Sequence, residues 1–140
     1  MGQQQLLLII LGVIVVGIAV AVGITMFTDN ATSANRDAVI NDLVNLSARA
    51  QQFYRRPTSL GGGGGSFAGL SADLAGLQKL VTTTATPYVN GNGSYRISVA
   101  GTDSSVTVEG TGIEIGNDNS TKVKVTMEVR ASRNNTTINN

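Results

Sequence analysis

The chain has 140 residues, ten Lys and Arg against nine Asp and Glu, a formal net charge of +1, and neither His nor Cys. Disulfides and thiol chemistry are therefore excluded, and the commonest metal ligand and general base are missing together. Cations this sparse form no basic patch of the kind nucleic-acid binding needs. The positive mean hydropathy of +0.12 comes mostly from the N-terminal stretch.

From Leu6 to Ile24 no residue is polar or charged, and the first charged side chain is Asp29. A run of about 19 apolar residues, at roughly 1.5 Å each, just covers the roughly 30 Å hydrocarbon core of a bilayer. The run is longer than the apolar stretch of a secretory signal, and no Lys or Arg precedes it. Every Lys and Arg lies from Arg36 onward, so with the head outside the positive-inside rule finds nothing to hold the N-terminus in the cytoplasm. Either a short basic leader has been removed or the head is cytoplasmic; the architecture that follows favours the first. Gly12, Gly17 and Gly23 interrupt the run, and Ala19 and Gly23 have the small-xxx-small spacing that lets helices approach closely.

Residues 1–28 read as an apolar helix half and 29–56 as its amphipathic continuation. Between Asp29 and Tyr54 there is no Gly or Pro, and Val39, Leu43, Leu46, Ala50 and Phe53 recur at helical spacing, with Ile40 and Val44 widening the stripe. Asp29 or Thr32 is alternatively an N-cap that starts a second helix. The continuous version is roughly 50 residues and 75–80 Å long. Arg55-Arg56-Pro57 ends it, since Pro57 disfavours helical geometry at Arg56.

Residues 57–93 read as a connecting segment. Its Gly61–Gly65 tract has three readings: a flexible linker, a tightly packed loop pinned by Phe67 and Leu70, or a phosphate cradle. The last lacks both a preceding strand and a following Gly-Lys-Ser/Thr. Ser71–Val81 suggests a short helix or turn with Leu74, Leu77 and Val81 on one side, and Pro87–Gly93 is turn-rich.

From residue 94 the period becomes two. Tyr95, Ile97 and Val99 alternate with polar neighbours, as do Val106 and Val108. Ile113 and Ile115 suggest a short third strand; Val123, Val125, Met127, Val129 and Ala131 form one face of the last. Residues 94–132 are thus expected to form a four-stranded antiparallel meander, apolar on one side, with 133–140 a polar tail. The stripe on the long helix is the partner available for that face, giving an α+β head.

Catalysis would rest on Asp73, Asp103, Glu109, Glu114 and Asp118, which show no paired spacing, so no enzyme and no cofactor is expected. Asn117-Asp118-Asn119 reads as a polar turn rather than a metal site. Sequons at Asn92, Asn119, Asn134 and Asn135 are candidate glycosylation acceptors; those at Asn30 and Asn45 fall on the helix.

A lone N-terminal helix, apolar then amphipathic, followed by a loop and an antiparallel sheet resembles the type IV pilins and their pseudopilin relatives. The resemblance covers the whole chain in architecture and is most specific in the first 30 or so residues. It implies a long helix packed on the sheet in a lollipop shape. It also implies a basic leader cut by a prepilin peptidase, with Met1 as an N-methylated mature first residue; alternatively Gly2 ends a two-residue leader. Assembly would run through Met1, Gln5, Leu6, Leu7, Leu8, Ile9, Ile10, Leu11, Gly12, Val13, Ile14, Val15, Val16, Gly17, Ile18, Val20, Val22, Gly23 and Ile24. These wait in the inner membrane until the pilus assembly machinery buries them among identical subunits of a helical homopolymer on the cell surface. Two departures stand out. Gln5 occupies the position of the family's usual Glu, and Val22-Gly23 the place of a frequent Pro near which the helix partly melts, so melting here is expected between Gly17 and Gly23. The implied function is a major filament subunit, with a minor pilin or secretion pseudopilin as alternative. From another class comes a single-pass anchored binding or sensor domain.

Overall fold

The computed structural model describes residues 2–140; Met1, the expected N-methylation site, lies outside the described residues. One helix, α1 (Gly2–Arg55), runs unbroken for 54 residues. At about 1.5 Å per residue it is roughly 80 Å long. It neither restarts at Asp29 or Thr32 nor opens between Gly17 and Gly23. The only residues of α1 that are buried lie in its second half: Asn35, Val39, Leu43, Leu46, Ser47, Ala50 and Phe53. These are the five stripe positions expected from the spacing, plus two polar residues; of the two expected to widen the stripe, Ile40 is partly buried against the core, while Val44 is exposed because it lies off the face that meets the sheet.

A single 3₁₀ turn (Thr58–Leu60) and a short helix α2 (Leu74–Gln78) follow. Asp73 caps α2, its Oδ1 accepting a hydrogen bond from the Gly76 amide at 3.0 Å. The remaining chain is one five-stranded antiparallel meander in sequence order: β1 (Tyr88–Val89), β2 (Gly93–Val99), β3 (Ser105–Ile115), β4 (Lys122–Arg130) and β5 (Asn134–Ile138). The α+β architecture is as expected, with three differences in the strands, the first being β1, which lies inside the segment 57–93 expected to be a connection and pairs antiparallel with β2 through Tyr88↔Tyr95 and Val89↔Ser94.

The expected separate strand at Ile113 and Ile115 is the end of β3, whose pairing with β4 shifts register between Thr111 and Ile115. The expected polar tail is mostly β5, paired with β4 from Val125↔Ile138 to Val129↔Asn134. It was invisible to an apolar–polar alternation because all five of its residues are exposed. The edge of a sheet needs backbone partners, not a buried face.

The core joins three sources. Val39, Leu43, Leu46, Ala50 and Phe53 come from α1; Tyr95, Ile97, Val106, Val108, Val123, Val125, Met127 and Val129 from the sheet; Phe67, Leu70, Leu77 and Leu80 from the connecting segment. Each fully buried aliphatic side chain contributes about 1.5–3 kcal/mol of transfer free energy. The helix reaches the sheet closely because Gly110 offers no side chain: a Cβ there would stand 2.7 Å from Val39 Cγ1 and 3.0 Å from Tyr95 Cε1.

The Gly61–Gly65 tract is a packed loop that finishes α1. Amides of Gly62, Gly63, Gly64 and Gly65 donate to the carbonyls of Pro57, Phe53, Arg56 and Tyr54 at 2.7–3.1 Å. Three of these acceptors are terminal carbonyls of the helix end that would otherwise lack partners. Gly64 and Gly65 sit at φ +60 and +92, and a Cβ on Gly62 or Gly63 would collide with the Arg56 or Ser66 carbonyl. The composition that reads as a linker is what lets four successive amides fold back on the helix.

Candidate functional site

The largest feature without an intramolecular partner is the first half of α1. It is the one described helix long and apolar enough to cross a membrane, and none of its apolar window is buried against the rest of the chain. Exposure runs from 47% at Ile10 to 68% at Leu8, Ile9 and Val13, and Phe27 stands at 74%. The residues lie on every side of the helix, so no single face can be satisfied by the head. Nothing stands within 4 Å of where a Cβ would be on Gly12, Gly17 or Gly23, so these positions are open notches.

Two hydroxyls at the C-terminal end of this segment are bonded back to the helix. Thr25 Oγ1 donates to the Val22 carbonyl and Thr28 Oγ1 to the Thr25 carbonyl, both at 2.8 Å. Such back-bonding lets hydroxyls stand in a dry environment without open donors. Gln3, Gln4 and Gln5 stand exposed at the tip, with Gln5 beside Leu6.

The junction of helix and head is held by directional bonds. Thr32 Oγ1 donates to the Ile115 carbonyl at 2.9 Å. Asn35 Oδ1 accepts from the Ile113 and Glu114 amides at 3.1 and 3.3 Å, and its Nδ2 donates to the Asn92 carbonyl at 2.9 Å. One level up, Asp42 Oδ2 accepts from Tyr95 Oη at 2.6 Å, Asn92 Nδ2 at 2.8 Å and Asn90 Nδ2 at 2.9 Å. Burial alone would raise the Asp42 carboxyl, but the bonds from Tyr95, Asn92 and Asn90 outweigh it and the net displacement is downward. Burial, then the bond to Asp42, pushes the Tyr95 phenol up. Neither the Asn35 nor the Asp42 cluster was foreseen, because its members are 48 to 79 residues apart in sequence and individually ordinary.

On the open face of the sheet, Glu109 is buried although its alternation places it on the polar side. Arg96 Nη2 and Lys124 Nζ close over it at 2.8 and 3.0 Å from its two oxygens. They line a cleft of about 540 Å³ with Lys122, Thr111 and Asn139. The carboxylates considered for catalysis are otherwise scattered. Asp118 is the acceptor of its own turn, bonding the Ser120 and Thr121 amides at 3.0 and 2.9 Å. Asn140, Thr121 and the Ser120 amide together hold its carboxyl well below the usual range.

Of the sequon residues, Asn92 has its amide bound to Asp42, and Asn134 Nδ2 donates to Ser47 Oγ at 2.8 Å. Asn119 is exposed in a left-handed turn at φ 53, and Asn135 is exposed on β5.

Charge is unevenly spread along the axis of α1. At the level of Asp29 to Asp37, beside which the end of β3 with Glu114 and the turn to Lys122 with Asp118 are held, there are four carboxylates and two cations, Arg36 and Lys122. In the middle, Asp42 and Glu109 balance Arg96 and Lys124. The far end holds six cations, Arg49, Arg55, Arg56, Lys79, Arg130 and Arg133, and three carboxylates, Asp73, Asp103 and Glu128, of which Glu128 pairs with Arg130.

No family model matches the chain. No curated protein and no solved structure shows significant similarity to it.

Proposed function

We infer that the chain is a structural subunit of a pilin-like helical filament, polymerising through the apolar half of α1. The observation that carries this reading is that one unbroken helix is bare on all sides over its first half and forms the spine of the head core over its second. A half exposed all round is matched by an environment that surrounds it. A bilayer supplies that before assembly, and copies of the same helix supply it afterwards. At about 25 cal/mol per Å² of apolar surface, packing such helices together in a polymer is strongly and cooperatively favourable once they leave lipid. The rigid continuity of α1 then sets the heads at a fixed radius outside the helical core.

The test is to purify the full-length protein in detergent, remove the detergent without lipid, and look by electron microscopy. Regular fibres with a helical core and peripheral heads are expected. Protein that only enters liposomes as single copies, with no fibre under any condition or on the native cell surface, would favour the anchored-domain reading instead.

A further inference from the structure

We propose that in the polymer the cationic far end of each head docks on the acidic base of another copy displaced along the fibre axis, so that the head carries its own head-to-tail assembly code. This rests on the filament reading and names the contact that the heads add to the helical core. The two ends are separated by about 20 residues of α1, roughly 30 Å, and differ in sign, while the level between them is balanced. Each end also carries exposed apolar side chains. Leu60, 71% exposed, is at the far end, and Ile113 and Ile115, 54% and 53% exposed, stand at the base on the face of β3 opposite to Glu114. The two surfaces are different, so the contact is heterologous; repeated by translation along an axis it continues as an open polymer instead of closing into a dimer. The occupant is a second copy of this chain because the surface complementary to one end is present, in the same orientation, on the other.

The charges invoked are available. Asp37 and Glu114 at the base and Arg56 and Arg133 at the far end are exposed, and none forms a salt bridge with a described residue. Complementary charge of this kind fixes register and rejects like-sign pairings. It is screened over about 8 Å at physiological salt.

The experiment uses the full chain, assembled by detergent removal, with the critical concentration read by pelleting at several NaCl concentrations. Three variants are compared with wild type: Arg56→Glu with Arg133→Glu, Asp37→Lys with Glu114→Lys, and all four together. Unchanged thermal unfolding in detergent verifies that each head is folded. The expected result is a critical concentration raised at least about tenfold in either one-sided variant. In the four-fold variant, where both ends are reversed and complementary again, most of that loss is recovered; in wild type the critical concentration rises with salt. Fibres from all variants at the wild-type concentration, or a four-fold variant no better than the one-sided ones, overturn the contact while leaving the filament standing. Absence of fibres in every sample, wild type included, overturns the filament and this contact with it.

Discussion

Asp42 shows how a single side chain fixes the side of the head. Its Oδ2 gathers Tyr95, Asn90 and Asn92, tying α1 to β2 and to the turn before it. The carboxylate is held below its ordinary value of 3.8, so this contribution to stability is present above that pH and lost as the pH falls through the lower folded value. Tyr95 is displaced upward from 10.0; its contribution is present below pH 10 and lost as the pH rises toward the folded value. Thermal unfolding across pH should therefore show a plateau falling off on both sides. Tyr95→Phe is expected to remove this residue's share of the alkaline fall, and Asp42→Asn its share of the acid one, the rest of which comes from Asp118 and Asp73, also held below the ordinary value. Either should lower stability by roughly 1 kcal/mol at neutral pH, the scale of one net hydrogen bond. A Tyr95→Phe profile identical to wild type above pH 10 would contradict the assignment. These partners were not legible in the sequence: hydrophobic periodicity identifies who is buried, but not which amide on a distant turn meets which carboxylate. Glu109 is the same lesson on the other face. Alternation along β3 places it on the polar face, while its burial depends on two long cationic side chains folding across from neighbouring strands.

At the scale of elements, the helix stripe and the three central strands were legible because each needs one buried face and therefore repeats at its own period. What was not legible was decided by backbone bonding. The five-glycine tract gave three readings, and only the amide-to-carbonyl pattern makes it the cap of α1. Gly63→Ala would set a Cβ against the Ser66 carbonyl and 3.0 Å from Phe53 Cε1. It is expected to cost about 1–3 kcal/mol, read as a lower midpoint in urea unfolding of the head, with the helical signal of the apolar half unchanged. β5 makes the converse case. It buries nothing, yet it occupies the backbone edge of β4. Truncation after Ser132 should leave the core side chains in place but open that edge. The expected outcome is a destabilised head and concentration-dependent aggregation in size-exclusion chromatography, the usual behaviour of an unprotected strand edge.

At the scale of the whole molecule, the head and the apolar half of α1 answer to different surroundings. The head closes its own core from α1, sheet and connecting segment. The apolar half closes nothing and is exposed on all sides. In the proposed fibre these two halves divide the labour: the apolar helices supply cohesion, and the opposed charges at the two ends of the head supply register. That division predicts a salt-dependent critical concentration with a salt-independent fold, measurable by pelleting and by thermal unfolding on the same samples. The packing of helix on sheet was legible in the sequence, because an amphipathic helix stripe and a one-sided sheet each need the other's apolar face. The charge polarity was not, since its members come from α1, both sides of the β3–β4 turn and the far loops, and only the fold sorts them into levels.

The unbroken passage of α1 from the bare half into the head has a mechanical consequence. The molecule is a strut, not a bead on a tether: a pull on the head arrives at the apolar half as axial tension on the helix itself, with no hinge to absorb it. What can yield is the helix. Each residue that leaves it for extended chain lengthens the strut from about 1.5 Å to about 3.3 Å. The glycines favour helix about 1 kcal/mol less than alanine, so the stretch from Gly12 to Gly23 is where elastic give would begin. A fibre of such struts would lengthen under load by local unwinding in its core while the heads, each closed on its own sheet, kept their shape.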